Sequence, residues 1–255
     1  MTVMTSQEIL VKYLLRLADT TLILGHRLSE WCGHGPVLEQ DIAMTNIALD
    51  LIGEARNYYQ YAAKVENKNN SEDDLAYMRD PMDYYNILLV EQPNGDFAHT
   101  IARQYFFDVF HYLLLEELQQ SKDKQLSAIA EKSIKEVTYH KKWSGEWILR
   151  LGDGTEMSHN KMQEAIIDLW NFTGEMFLMD QVDELLVKEK KGVDVAKLQS
   201  SWLSTIKAQI TEATLSLPET SWVQKGGKQG IHSEHLGFIL TDLQYMQRTY
   251  PGQTW

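Results

Sequence analysis

The chain has 255 residues, of which 44% are hydrophobic and 24% charged, and its net charge is −12. That length holds a sizeable core in one large domain or two small ones, and the acidic charge argues against nucleic-acid binding, because phosphate contacts need clustered Lys and Arg. One cysteine, Cys32, excludes an intrachain disulfide and favours a cytoplasmic protein, and neither a secretory signal nor a membrane span is visible.

Helices are predicted along most of the chain, because only 5 prolines and 15 glycines interrupt it. Caps such as Thr5 with Glu8, Asp96 and Asp123 mark where several of them start. The predicted helical ranges are about 5–31, 37–65, 96–118, 123–151, 159–190 with a possible break near Thr173-Gly174, 194–217 and 233–249. No linker separates them, so we predict one all-α domain over residues 1–255.

The helix at 96–118 carries Asp108 and His111 three residues apart among bulky apolar neighbours. Residues at i and i+3 share a helix face, so a carboxylate and an imidazole lie side by side where burial is expected. Burying such groups unpaired costs several kcal/mol, on the order of 2–7, so they need partners on other helices.

A di-iron carboxylate bundle would supply such partners, since it uses a Glu from each of two helices and Glu-x-x-His from each of the other two. Here Glu54 is followed by Asn57 where histidine is needed, and His140 is preceded by Val137 where the carboxylate is needed. The remaining set includes Glu30, Asp108 and His111. It is compatible with one weak metal site, or with a network of hydrogen bonds and ion pairs.

A glycine-rich loop contains Lys225, Gly226, Gly227 and Lys228. Its amides and ammonium groups could bind an anion such as the phosphates of coenzyme A, although the full phosphate-loop pattern is missing. Docking of another protein is the alternative for this loop. His232-x-x-His235 follows, and we interpret it as hydrogen bonding at a helix start rather than a metal pair.

Several strings resemble one family, the C subunits of the bacterial phenylacetyl-CoA epoxidases, which are multicomponent ring 1,2-epoxidases of phenylacetate degradation. The strings cover nearly the whole chain, and they are Glu30–His34, Ile47–Leu51 with Ala55–Asn57, Leu89–Gly95, Ile101–Tyr105, Gly226–Lys228 with His232–Gly237, and Tyr250–Trp255.

The resemblance implies a ferritin-like four-helix bundle core with additional C-terminal helices. It further implies a non-catalytic structural subunit without a cofactor of its own, which pairs with a homologous di-iron A subunit. Such a system is completed by a small B subunit and by a reductase with flavin and iron–sulfur groups. A homodimer is plausible when the partner is missing. The incomplete Glu-x-x-His motifs agree with this role, and no residue is carried over as catalytic.

Two other functions stay open. An active di-iron oxygenase would need a metal ligand at Asn57 and a carboxylate at Val137, neither of which the sequence provides. A coenzyme A-binding module would use Lys225 and Lys228. We therefore predict no metal site, and we treat Glu30, Glu54, Asn57, Asp108, His111, Val137 and His140 as degenerate di-iron positions.

Overall fold

The computed structural model describes residues 4–220 and 222–253, and every regular element in these ranges is helical. The predicted all-α class is therefore confirmed. The α-helices described are α1 (Ser6–Ser29), α2 (Leu38–Glu66), α3 (Glu72–Tyr77), α4 (Leu88–Glu91), α5 (Phe97–Leu118), α6 (Lys124–Gly152), α7 (Glu156–Trp170), α8 (Gln181–Lys188), α9 (Val195–Glu212) and α10 (Glu234–Thr249). None of them is long and apolar enough to cross a membrane.

The backbone groups into two compact units. The first, here called unit 1, comprises Met1–Pro93 with Gly226–Trp255, of which 4–93 and 226–253 are described, and unit 2 comprises Asn94–Lys225. Each unit contains one pair of long helices. The single domain over 1–255 stays a prediction.

In unit 1 the long helices α1 and α2 are antiparallel, because Gln7 near the start of α1 donates to the carbonyl of Val65 near the end of α2. Gly25 allows the two helices to approach closely. A Cβ at this position would lie 2.9 Å from Cγ1 of Ile52, which is closer than real Cβ contacts. Thr5 caps α1 through a capping box with Glu8, as predicted.

The C-terminal part of unit 1 packs back onto its N-terminal part, with α10 against α1, α3 and α4. The turn before α10 contains a 3-10 segment, Gly227–Gln229. Glycine is required at position 227, because a Cβ would collide with the backbone carbonyl of Asn86. Gly226 and Gly230 have φ values of 138° and 80°, which L side chains rarely adopt.

In unit 2 the long helices α5 and α6 are also antiparallel, as the edge-to-face contact of Phe97 with Trp147 indicates (ring centroids 5.0 Å apart). Helices α7 and α9 pack on α5. Trp202 of α9 donates its indole N–H to the carbonyl of Phe106 at 2.9 Å, so the indole is satisfied inside an aromatic core.

One predicted helix break agrees with the structure, and one predicted helix end differs from it. The helix predicted over 159–190 is divided into α7 and α8 by a 3-10 segment, Gly174–Phe177, close to the break predicted at Thr173-Gly174. Helix α9 ends at Glu212 rather than near residue 217, because Thr214 takes a left-handed conformation (φ 61°) and ends the α-helical hydrogen bonding.

Candidate functional site: buried carboxylates in two units

Asp108 of α5 lies fully buried in unit 2 and has a hydrogen-bond donor on each oxygen. The side-chain amide of Gln104, one turn earlier, donates to Oδ1 at 2.7 Å. The hydroxyl of Ser144, on α6, donates to Oδ2 at 2.7 Å and also lies 2.9 Å from the carbonyl of His140. Both protein donors are neutral, so neither brings a full charge to the carboxylate.

Burial raises the pKa of Asp108 to about 6, and the nearby His140, Ser144, Gln104 and His111 only partly oppose this shift. The carboxyl group of Asp108 therefore changes its charge close to neutral pH. The same lack of solvent, together with the charge of Asp108, raises the pKa of the Tyr105 hydroxyl.

The structure brings the predicted histidines to this cluster. His111 and His140 are both buried, and both act on Asp108 electrostatically. His111 packs against the ring of Phe107, with centroids 4.9 Å apart. Val137, one turn before His140, is fully buried and apolar, so α6 contributes no carboxylate at this position.

The predicted positions in unit 1 have different environments. Glu30 is an exposed residue at the C-terminal end of α1, where it forms an ion pair with Arg27 at 2.7 Å. Glu54 is buried, and its charge adds to burial in raising the pKa of Tyr58, one turn further along α2. Asn57 is half-buried.

Sequence reasoning missed a buried ionic cluster in unit 1. Asp19 of α1 accepts hydrogen bonds from the two terminal guanidinium nitrogens of Arg79, from the hydroxyl of Tyr59 at 2.6 Å and from the backbone amide of Tyr85 at 2.7 Å. Burial alone would lower the pKa of Arg79, but the charge and hydrogen bond of Asp19, together with Tyr59 and Tyr84, outweigh burial and raise it. In the sequence, Asp19 shares a polar stripe of this helix with His26 and Glu30, but nothing there indicates Arg79 as its partner.

A second missed cluster in unit 1 joins α4 to the start of α10. Glu91 is fully buried and accepts from the backbone amide and the hydroxyl of Ser233, at 2.6 and 2.7 Å, and from the side-chain amide of Asn86 at 2.9 Å. The Nδ1 atom of His232 lies 2.8 Å from the same carboxylate.

The lysine- and glycine-rich loop is folded tightly rather than open. Lys228 is buried, and its carbonyl accepts from Arg16 of α1. The backbone amides of Gln229, Gly230 and Ile231 donate to carbonyls within the loop. Lys225 is exposed at the end of unit 2. Anion binding by this loop stays a prediction.

The side chains of α5 and α6 do not provide the metal ligands that half of a two-metal site would need. Both oxygens of Asp108 already accept hydrogen bonds, and Val137 has no donor atom. Among residues 4–220 and 222–253, no group of three or more His, Cys, Asp or Glu is placed to hold a metal ion.

A profile of the family described as "Phenylacetic acid catabolic protein" matches residues 2–255. The chain belongs to this family. A relative from Escherichia coli (strain K12), which bears the name of the C subunit of 1,2-phenylacetyl-CoA epoxidase, is 50% identical over 246 residues. Those residues are 96% of this chain and 99% of the relative.

Membership in the phenylacetic acid catabolic family confirms the resemblance that the short sequence strings indicated. The Glu91–His232 contact joins two of those strings in space, Leu89–Gly95 and His232–Gly237. Thr254 and Trp255, at the end of the last string, lie outside the described residues.

Proposed function

We propose that this chain is a non-catalytic structural subunit of a multicomponent phenylacetyl-CoA epoxidase, and that it pairs with a catalytic di-iron A subunit. The main support is the environment of Asp108, whose two oxygens are engaged by Gln104 and Ser144, while the buried Val137 stands where an iron ligand would be needed. The 50% identity to the C subunit from Escherichia coli, over nearly the full length of both chains, supports the same role.

An exposed apolar stripe on α2 supports pairing with another protein. Leu38, Ile42 and Leu49 are 72%, 51% and 62% exposed, and helical spacing places them on one face. Gly53 continues this face, and nothing lies within 4 Å of the position its Cβ would take. A helix of a partner can approach closely here, and burying these three side chains would favour association by removing apolar surface from water.

The test is co-expression of this chain with an A subunit of the same system, followed by co-purification. We expect a stable complex, iron assigned to the A subunit when the separated proteins are analysed, and epoxidation only when both are present. About two iron ions on this chain, with turnover in the absence of the A subunit, would establish the alternative of an active di-iron oxygenase.

The stripe is tested with the double variant Ile42→Asp/Leu49→Asp. It should fold normally, since both side chains are exposed, and should lose co-purification with the A subunit. Met157→Asp/Ile167→Asp on α7 is a matched control, because these apolar residues are 72% and 52% exposed and belong to unit 2. Equal retention of the A subunit by both variants would contradict docking at the stripe.

The coenzyme A-binding role of the loop is tested separately. Lys225→Ala should weaken binding of coenzyme A to the complex if the loop holds its phosphates, and unchanged affinity in isothermal titration would leave the loop a structural element. Lys228 is a poor target for this test, because it is buried and its replacement changes packing.

A further inference from the structure

The side chain of His232 lies between two groups that accept hydrogen bonds. Its Nδ1 atom is 2.8 Å from Oε2 of Glu91, and its Nε2 atom is 2.9 Å from the backbone carbonyl of Tyr84. The side chains of Glu91 and His232 are 0% and 5% exposed, so water does not replace either contact.

A carbonyl oxygen only accepts, so Nε2 of His232 must carry a hydrogen to bind Tyr84. Both oxygens of Glu91 act as acceptors, because Oε1 accepts from the amide and hydroxyl of Ser233 and Oε2 accepts from the side-chain amide of Asn86. A contact with such an acceptor needs a hydrogen on Nδ1 as well. The geometry therefore requires an imidazolium ion at position 232.

The charges around the ring are consistent with that state. Burial alone would lower the pKa of His232, but its hydrogen bond to Glu91, the charge of Glu91, the carbonyl of Tyr84 and the charge of Asp19 outweigh burial and raise it. Three arginines of unit 1 are bound nearby. Arg27 donates to the backbone carbonyls of Glu91 and His235. Arg79 is paired with Asp19, and Arg16 donates to the carbonyl of Lys228.

We propose that the contact of His232 with Glu91 and Tyr84 is a pH-sensitive latch, which holds the segment 226–253 against α4 while the imidazole is protonated and releases it when alkaline pH removes that proton. This proposal is independent of the function proposed above, because it concerns contacts within unit 1 only. The segment it holds includes α10, which carries the exposed Phe238 and Tyr245.

The sign follows from the raised pKa. The stabilising effect of the latch is fully present below the ordinary histidine pKa of 6.5 and is lost as pH rises through the higher pKa of the folded state. Between these two pKa values, the equilibrium for opening of the segment should rise by up to about tenfold per pH unit, because opening then releases one proton, and above the folded-state pKa it should level off.

Two measurements on the full chain test the latch. Side-chain 15N chemical shifts of His232 should report an imidazolium ion at about pH 7.5, where an unperturbed histidine is mostly neutral. Hydrogen exchange followed by mass spectrometry, corrected for the intrinsic rate at each pH, should show opening of the peptides from 226–240 that increases from about pH 7 to about pH 9.

His232→Gln should open more readily at about pH 6.5 and lose this pH dependence, since glutamine does not titrate in this range. His235→Gln is the matched control, three residues away, and should behave like the wild type. In Glu91→Gln the ring of His232 should become neutral at about pH 7.5, because its counter-charge is removed. A neutral ring in the wild type, or opening of 226–240 that is independent of pH, would overturn the proposal. The 15N measurement is made on the wild type, so it tests the proposal even if a variant fails to fold.

Discussion

Asp19 in unit 1 and Asp108 in unit 2 are both fully buried aspartates on long helices, but their partners differ in charge. Asp19 is bound by the guanidinium group of Arg79, whereas Asp108 is bound by the neutral side chains of Gln104 and Ser144. A buried carboxylate is thus accommodated either by a counter-charge or by a raised pKa. The raised pKa is found at Asp108 in unit 2, the unit in which α6 carries Val137 instead of the carboxylate of the di-iron pattern.

The largest effect is expected for Arg79→Ala, which leaves Asp19 buried without its counter-charge. Removing one partner of a buried ion pair costs about 3–5 kcal/mol, so the free energy of unfolding in urea should fall by that order. A loss below about 1 kcal/mol would mean that Asp19 does not depend on Arg79 and would remove the contrast with Asp108.

Asp108→Asn should affect stability in a pH-dependent way. Because the folded-state pKa of Asp108 is raised to about 6, its charge destabilises the folded state increasingly as pH rises from about 4 to about 7. The variant should therefore gain stability relative to the wild type over that range, by at most about 3 kcal/mol, since one pKa unit corresponds to about 1.4 kcal/mol.

Asparagine also fits the site chemically. The hydroxyl of Ser144 can turn to donate to the carbonyl of His140, which lies 2.9 Å away, while accepting from the new amide. Urea unfolding of both proteins at about pH 4.5 and pH 7.5 measures the difference. A stability difference that does not change between the two pH values would show that Asp108 is not titrating with a raised pKa.

Ser144→Ala and Tyr59→Phe form a matched pair, because each removes one hydroxyl donor from a buried carboxylate. We expect a loss of about 2 kcal/mol for Ser144→Ala and about 1 kcal/mol for Tyr59→Phe. Asp108 keeps one side-chain donor, Gln104, whereas Asp19 keeps Arg79 and the amide of Tyr85. Thermal unfolding checks the order, and the reverse order would contradict this explanation.

The smallest effect is expected for Arg56→Ala. Arg56 pairs with Glu72 at 3.3 Å on the surface, and its side chain is 67% exposed. Pairs of this kind contribute about 0–1 kcal/mol, so this variant measures how much of the Arg79→Ala loss results from burial. A loss equal to that of Arg79→Ala would show that burial is not the cause.

The sequence by itself determined the elements with local signals. Thr5, Asp96 and Asp123 cap helices as predicted, because a cap and the amides it binds lie within three residues of each other. It also placed Asp108 and His111 on one buried face and identified Val137 and Asn57 as departures from the di-iron pattern. The family followed from short strings along the whole chain.

Tertiary structure alone decided which buried charges meet. Asp19 binds Arg79 across 60 positions, and Glu91 binds His232 across 141, distances at which helical periodicity carries no information. The tertiary structure also decided which face of α2 is exposed. Apolar residues occur both on its buried face, as with Ile47 and Leu51, and on its exposed face, as with Leu38 and Leu49, so amphipathicity could not distinguish the two.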